Sequence, residues 1–361
     1  MAENFLITGF PGFIGRRLVQ SLANSNPKAN LNLLVEPRMV KAAQASVDKI
    51  PGSEHMQIVA GDITDSKLGL DSAKLKDLAN QTTHVYHLAA IYDLAVASDV
   101  AQRVNVDGTI NVVDFCRQCG KLDRLHYVST AYVAGDRHGT VYEHELQMGQ
   151  SFKNHYESTK FQAEVVVREA RDSVPTTIYR PAIVVGDSQT GETQKFDGPY
   201  YALKIIAKLN GGHLPLVRMG SGEALLNVVP VDFVVEAMAT LALDPSAVGE
   251  TLHLTDPNPV TADEVYELFC LAYAGRPPRG KLPTVLTSQS MRFAAVRKQF
   301  GNVPRESLQY LDHVVRFDTR RASTLLAAHG VRCPSFTEYV QPIVEFFRQH
   351  EQDPAFQPKA K

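Results

Sequence analysis

The stretch NFLITGFPGFIG, Asn4 to Gly15, decides how the chain folds. A short apolar run at Asn4 to Thr8 leads into three glycines, Gly9, Gly12 and Gly15, and then into a helical pattern from Phe13 to Ala23. A strand that turns through glycines into a helix can present backbone N–H groups to a pyrophosphate. A side chain at Gly12 would obstruct the phosphates, while Gly15 lets the helix pack close to the sheet. The spacing is G-x-x-G-x-x-G where the general fingerprint is G-x-G-x-x-G, so the setting between strand and helix carries the argument. Gly9, Phe10, Gly12, Phe13, Ile14 and Gly15 are the candidate dinucleotide contacts of this turn.

Outward from the turn, further strands are expected at Leu31 to Val35, Met56 to Ala60, Thr83 to His87, Arg124 to Val128 and Thr176 to Arg180. Helical patterns at Met39 to Asp48, Val100 to Cys119 and His155 to Arg171 fall between them. This alternation predicts an α/β fold, a parallel sheet wound with crossover helices. After Arg180 the alternation fails, and loops at Gly186 to Pro199 and around Arg276 to Pro283 predict a second, mixed lobe. The expected division is a dinucleotide-binding domain over 1–185 with segments near 225–257 returning to it, a substrate lobe over 186–224 and 258–350, and a flexible tail over 351–361. The returning segments contain strands at Asn227 to Val229 and Thr251 to Leu254 and a helix at Asp232 to Leu243.

The chain has 361 residues, 44% hydrophobic and 21% charged, the mixture of an ordinary globular protein. A formal net charge of -2 and the lack of a Lys/Arg run predict no nucleic-acid partner. The start, MAENFLITGF, lacks the features of a secretory signal, and no stretch has the length of a membrane span, so a cytoplasmic location is expected. Cys116 and Cys119 form a CxxC inside a helical pattern; with only Cys270 and Cys333 besides, no metal site is expected.

Glu36, at the end of the second strand, can accept hydrogen bonds from adenosine ribose hydroxyls and favours NAD. Arg38 can instead pair with a 2′-phosphate, which leaves NADP or NAD open. Asp62, in AGDITD, is placed for the adenine edge or for a loop or cap. In NHYESTK, Tyr156 and Lys160 stand at i and i+4 on one helical face. A phenol working as acid/base near neutrality needs roughly three units of depression from about 10, about 4 kcal/mol, and an adjacent ammonium supplies part of that. The same spacing recurs at Tyr200 and Lys204, so the pattern alone decides nothing. What favours Tyr156 is Ser129 and Thr130, which leave the carboxyl end of the Arg124 to Val128 strand, where open parallel sheets bind ligands.

With these residues in place, the chain resembles the extended short-chain dehydrogenase/reductases from Phe5 to about Phe347. TGFPGFIG, HLAA (His87 to Ala90), NVDGT (Asn105 to Thr109), VSTAYVAG (Val128 to Gly135), NHYESTK and YRPAIVVGDS (Tyr179 to Ser188) stand in family order. VSTAYVAG, GDSQTGETQKFDGPYY and VEPR are most similar to the fatty acyl-CoA reductase and thioester-reductase branch. The resemblance implies a Rossmann-type doubly wound parallel sheet with a smaller mixed α/β carboxyl-terminal lobe. It implies that Tyr156 is the acid/base, that Lys160 lowers its pKa and holds the nicotinamide ribose, and that Thr130, ahead of Ser129, hydrogen-bonds the substrate carbonyl. It places Pro181 and Ala182 against the nicotinamide, Ala89 and Ala90 along the pyrophosphate–ribose path, Asn105 in support, and Ile63 and Val128 among the cofactor contacts. Acyl reductases of this branch commonly carry a basic residue where Glu36 stands, so their usual NADPH preference does not transfer directly. A homodimer paired through the Val100 to Cys119 and His155 to Arg171 helices is also implied.

The leading expectation is a reductase delivering hydride from NAD(P)H to a carbonyl or acyl thioester. A dehydrogenase or epimerase of a sugar-nucleotide or sterol-like hydroxyl is the alternative, with Lys195, Lys204, Lys208 and Arg218 available for a diphosphate. A dinucleotide sensor without catalysis is a third reading, disfavoured by the intact Tyr156, Lys160 and hydroxyl pair. Tyr92 and Asp93 follow HLAA and are candidates to face substrate. His155 reads as a helix-start residue, YYALKIIAKL as core with an acyl-channel wall as the rarer option, and Glu143, His144 and Glu145 as an exposed loop.

Overall fold

The computed structural model describes residues 3–92, 96–219, 222, 224–282 and 314–357. Asp93 lies outside the described residues. The first half alternates as its apolar pattern dictates: β1 (Asn4–Thr8), α1 (Phe13–Ser25), β2 (Asn30–Val35), α2 (Val40–Val47), β3 (Met56–Ala60), α3 (Ser72–Gln81) and β4 (His84–His87). There follow α4 (Ser98–Ala101), a π-helical turn at Gln102–Asp107, α5 (Gly108–Gln118), β5 (Arg124–Val128), β6 (Gly139–Val141), α6 (His155–Glu169), β7 (Thr176–Pro181) and β8 (Ile183–Val185). The expected helix from Val100 to Cys119 is thus three helical segments in series. Helix α3 is not expected from the apolar pattern, because a stripe of only Leu75, Leu78 and Ala79 is buried in an otherwise polar segment. Its start is fixed by Asp71, which accepts from the Lys74 N–H.

The second half contains α7 (Tyr200–Gly211), β9 (Arg218–Met219), β10 (Val228–Pro230), α8 (Val231–Thr240), β11 (Thr251–Leu254), α9 (Ala262–Ala274) and β12 (Lys281–Leu282). It continues with β13 (Val315–Phe317), α10 (Arg320–Ala327) and α11 (Phe336–His350). A seven-stranded sheet runs β11-β7-β5-β4-β1-β2-β3, parallel at each pairing. Its inner strands are buried on both faces, as crossover helices require. Leu18, Val19, Leu22 and the α8 residues Val234 and Met238 pack on one face; Leu75, Val112, Phe115, Ala163 and Val167 pack on the other.

Three expectations are corrected. The strand near Asn227 does not return to the main sheet: β10 pairs with β8, which continues past β7 and turns out of the sheet. Ala322, Leu325 and Leu326 of α10 join the α1–α8 core, and β13 pairs with β6, so these parts of the expected substrate lobe belong to the main body. Residues expected to fray at 351–357 are instead held down. Phe356 stacks on Phe196 with ring centroids 5.3 Å apart, and its carbonyl accepts from the Phe196 N–H. The second lobe has its own core of Phe196, Tyr200, Leu203, Phe269, Tyr339 and Phe347. Among the described residues no helix is long and apolar enough to cross a membrane.

Candidate functional site

From β1 the chain steps to β2 on one side, while β4 lies on its other side. The order of strands reverses there, and a crevice opens at their carboxyl ends. Gly9 enters this crevice in the left-handed region, φ 87°, and a Cβ on it would meet the Ala89 nitrogen at 2.8 Å. A Cβ on Gly12 or Gly15 would strike the Gly9 carbonyl oxygen at 2.7 or 2.6 Å. The three glycines therefore fold the turn onto itself and onto the loop after β4. Gly12 precedes α1 without capping it by a side chain, so the first N–H groups of that helix face the crevice uncapped. This cradle, too tight for any side chain, fits a dinucleotide pyrophosphate. Phe10 is buried, Phe13 and Ile14 are half-buried, and the Arg17 guanidinium stacks on the Phe13 ring.

At the end of β2, Glu36 and Arg38 pair with each other through a close contact of Glu36 Oε2 and Arg38 Nε. That pair neutralises each residue's separate argument about the 2′-phosphate. Asp62 accepts from both the N–H and the hydroxyl of Thr64, at 2.8 Å each, the geometry of a loop-shaping aspartate. Ile63 is buried against Gly108. Asn105 is buried in the π-helical turn; it accepts from the Ile91 N–H and donates to the Ile91 carbonyl and the Thr159 hydroxyl. It ties the loop after β4 to the helix that carries Tyr156. Ala89 donates its N–H to Thr8 Oγ1, and Pro181 and Ala182 close the end of β7.

Asn154 caps α6 by accepting from the Glu157 N–H, which starts the helix one residue before Tyr156. Burial raises the Tyr156 phenol to about 12, against a lowering by the Thr130 hydroxyl beside it, while Glu157 adds to the rise. Burial lowers the Lys160 amine to about 7, opposed by Glu164. The expected depression of Tyr156 by Lys160 is therefore corrected for the cofactor-free chain. Lys160 Nζ turns from Tyr156 to donate to Tyr127 Oη at 2.8 Å and to the Val128 carbonyl at 2.9 Å. The Ser129 hydroxyl donates to Glu164 Oε2 at 2.6 Å. Thr130 Oγ1 has longer contacts, 3.5 Å to the Pro181 carbonyl and 3.3 Å from the Tyr132 N–H, and sits beside the Tyr156 phenol.

The second tyrosine–lysine pair lies on α7, in the second lobe. Tyr200 is buried in the lobe core and accepts from the Gly186 N–H at 3.0 Å. Among the described residues Lys204 Nζ is enclosed without a hydrogen-bond partner, and burial lowers it to about 8. Lys195 pairs with Asp197 and lies 5.6 Å from the exposed Tyr92 ring; Arg218 pairs with Glu267. His155 is exposed.

Glu143 corrects the expectation of an exposed loop: it is buried and accepts from the His253, Arg321 and Ala322 N–H groups. Sequence reasoning also misses Glu164, Arg180, Tyr127, Thr109 and Thr8. Burial would raise the Glu164 carboxyl, but Arg180, Arg168 and Ser129 hold it down to about 2. Glu164 lies two turns past Tyr156 on the same helical face, a usable signal. A cavity of about 430 Å³ at the start of β11 and another of about 610 Å³ beside α1 lie away from this crevice.

Residues 7–238, more than half of the chain, match the family model described as "Male sterility protein", an NAD-binding family. The chain is 26% identical over 275 residues to a subunit of the linear gramicidin synthase of Brevibacillus parabrevis, covering 72% of this chain and 5% of that protein. It is 28% identical over 303 residues to glycine betaine reductase ATRR of Emericella nidulans, covering 76% and 23%. With probable fatty acyl-CoA reductase 4 of Arabidopsis thaliana it shares 22% over 352 residues, covering 76% and 71%. The chain thus spans a small part of the first two relatives. Among solved structures, the terminal R domain from the myxalamid PKS-NRPS biosynthetic pathway superposes with a TM-score of 0.84 at 26% identity, covering 98% of this chain and 92% of that one. A UDP-glucuronic acid 4-epimerase from Bacillus cereus in complex with NAD gives 0.68 at 20% identity, covering 98% and 100%, a likeness of fold.

Proposed function

Because the chain belongs to the NAD-binding male sterility family, within the extended short-chain dehydrogenase/reductases, and is an NAD(P)-dependent oxidoreductase, we propose that it reduces an acyl thioester or aldehyde of the fatty acyl type. The observation that carries this reading is the position of Tyr156, on α6 one helical turn before Lys160 and beside Thr130, which follows β5 at the carboxyl edge of the sheet. A reductase must give the oxygen a proton, and Tyr156, beside Thr130 and one helical turn from Lys160, would supply it. Similarity to the myxalamid terminal R domain and to fatty acyl-CoA reductases supports the thioester class.

The glycine turn and the α1 amino terminus would hold the pyrophosphate, and Lys160 the nicotinamide ribose. When bound, the dinucleotide supplies a hydride. Thr130 donates to the carbonyl oxygen and polarises it; Tyr156 gives its proton to the oxygen as negative charge develops there. With a thioester, the resulting hemithioacetal collapses: the carbon–sulfur bond breaks, the hydroxyl proton passes to the departing sulfur, an aldehyde and a free thiol remain, and Tyr156 takes up a proton from solvent. Ser129 plays a different part, because its hydroxyl fixes Glu164 and through it Arg180 behind the site.

The test is turnover of NADPH or NADH with long-chain acyl-CoAs, ketones and UDP-sugars. Oxidation of the cofactor with acyl-CoA, with free thiol released in equal amount, is the expected result. Turnover of UDP-sugars alone would overturn the reading in favour of a dehydrogenase or epimerase, and tight cofactor binding without any turnover would favour a sensor.

A further inference from the structure

Lys160 is enclosed, and one of its two acceptors, Tyr127 Oη, comes from a side chain outside the residues given a role above. Behind Tyr127 the polar groups form a chain in which each proton's place can be worked out. The Thr109 hydroxyl lies against the Tyr127 phenol and donates its single proton to the Asn105 carbonyl at 2.6 Å. With that proton committed, Thr109 Oγ1 can only accept, so the His87 Nε2–H, 3.0 Å away, donates to it, and the neighbouring Tyr127 O–H faces an acceptor. Burial, with the Lys160 charge adding, lowers His87 to about 3, so its imidazole is neutral and Nδ1 carries no proton. The Thr8 hydroxyl therefore donates to His87 Nδ1 at 2.8 Å, and Thr8 Oγ1 receives the Ala89 N–H at 3.1 Å. Tyr127 thus turns a lone pair, and not its proton, toward Lys160.

We infer that Tyr127 is a positioning residue for Lys160: with the Val128 carbonyl it engages two ammonium N–H bonds and leaves the third for the nicotinamide ribose. The inference rests on the role proposed for Lys160. The chain ends on two backbone groups, the Asn105 carbonyl and the Ala89 N–H, so it has no proton exit to solvent and acts as a brace. It also joins Lys160 to Thr8, next to the glycine turn, and to the loop that Gly9 packs against. Around the ammonium, Glu164 on α6 favours its charge, neutral His87 on β4 and the Tyr127 phenol on β5 add none, and Tyr156 is uncharged near neutrality.

Lysine-selective NMR titration of the cofactor-free chain tests this, alongside cofactor affinity and the pH profile of kcat/KM. In Tyr127→Phe the ammonium loses an acceptor, so the Lys160 pKa is expected to fall by about one unit, and the alkaline limb of kcat/KM to move down by the same tenfold step in proton concentration. Thr109→Val frees the Tyr127 O–H from its fixed direction and is expected to shift Lys160 the same way. An unchanged Lys160 titration and an unchanged limb in Tyr127→Phe would overturn the inference, whatever happens to Tm. A shifted titration with cofactor affinity and turnover both unaltered would support the brace while refuting the role proposed for Lys160.

Discussion

Burial raises the Tyr156 phenol to about 12 and lowers the Lys160 amine to about 7, one cause moving an acid and a base in opposite directions because each loses its charged form. Removing the phenol oxygen in Tyr156→Phe is expected to lower kcat by roughly 10²- to 10⁴-fold with cofactor affinity retained, measured by steady-state kinetics and fluorescence titration. Lys160 also leaves a mark on stability. Its folded pKa lies below the ordinary lysine value, so the unfolded chain binds the extra proton between pH about 7 and about 10, and stability from this group rises with pH across that window. The unfolding free energy of the cofactor-free wild type, minus that of Lys160→Met, is therefore expected to increase from pH 7 upward; a flat difference would mean that Lys160 is not desolvated. The spacing of Tyr156 and Lys160 is legible in the sequence, but so is its copy at Tyr200 and Lys204. Only the fold separates an edge tyrosine beside Thr130 from one enclosed by Phe196 and Phe347.

Along α6, Tyr156, Lys160, Glu164 and Arg168 follow one another at intervals of one helical turn, so on the proposed reading this helix carries both the chemistry and its support. Glu164 is fully enclosed with Arg180, and removing its charge leaves a buried guanidinium without a counter-ion. Glu164→Gln is expected to cost about 3–5 kcal/mol, read as a lowered denaturation midpoint. Its depressed pKa fixes the sign of the acid dependence: the stability it contributes is present above the unfolded carboxyl value and is lost as pH falls toward about 2. Wild type is expected to lose stability across that window and Glu164→Gln to lose less, checked by denaturant melts at stepped pH. Elements with a clear pattern are legible: β1 (NFLIT) is a nearly continuous apolar run, and β2 (NLNLLV) and β11 (TLHL) set apolar residues between turns. The pairing of β8 with β10 is not, because each is a three-residue strand and they meet across more than forty residues of chain, a contact that local pattern does not encode. Glu143 escapes sequence reading for a related reason, since its three N–H partners come from β11 and α10.

At the scale of the whole molecule, the cofactor crevice follows from the order of strands and is legible from the first fifteen residues, whereas the second lobe shows only as an interruption of pattern. We propose that the choice between NADH and NADPH rests on the exposed Glu36 and Arg38 pair. Glu36→Gln releases Arg38 and removes the carboxylate, and is expected to shift the affinity ratio toward NADPH by roughly tenfold, measured by parallel titrations. Family likeness and the position of Tyr156 support the proposed thioester or aldehyde reduction, and one measurement tests it most directly. The chain is supplied with a nicotinamide cofactor deuterated at its hydride position and a long-chain acyl-CoA, and the products are read by mass spectrometry. The expected result is deuterium on the former carbonyl carbon, with free thiol released in equal amount and both signals greatly reduced in Tyr156→Phe. Deuterium transfer at wild-type level in Tyr156→Phe, or none to any thioester or aldehyde, would contradict the account.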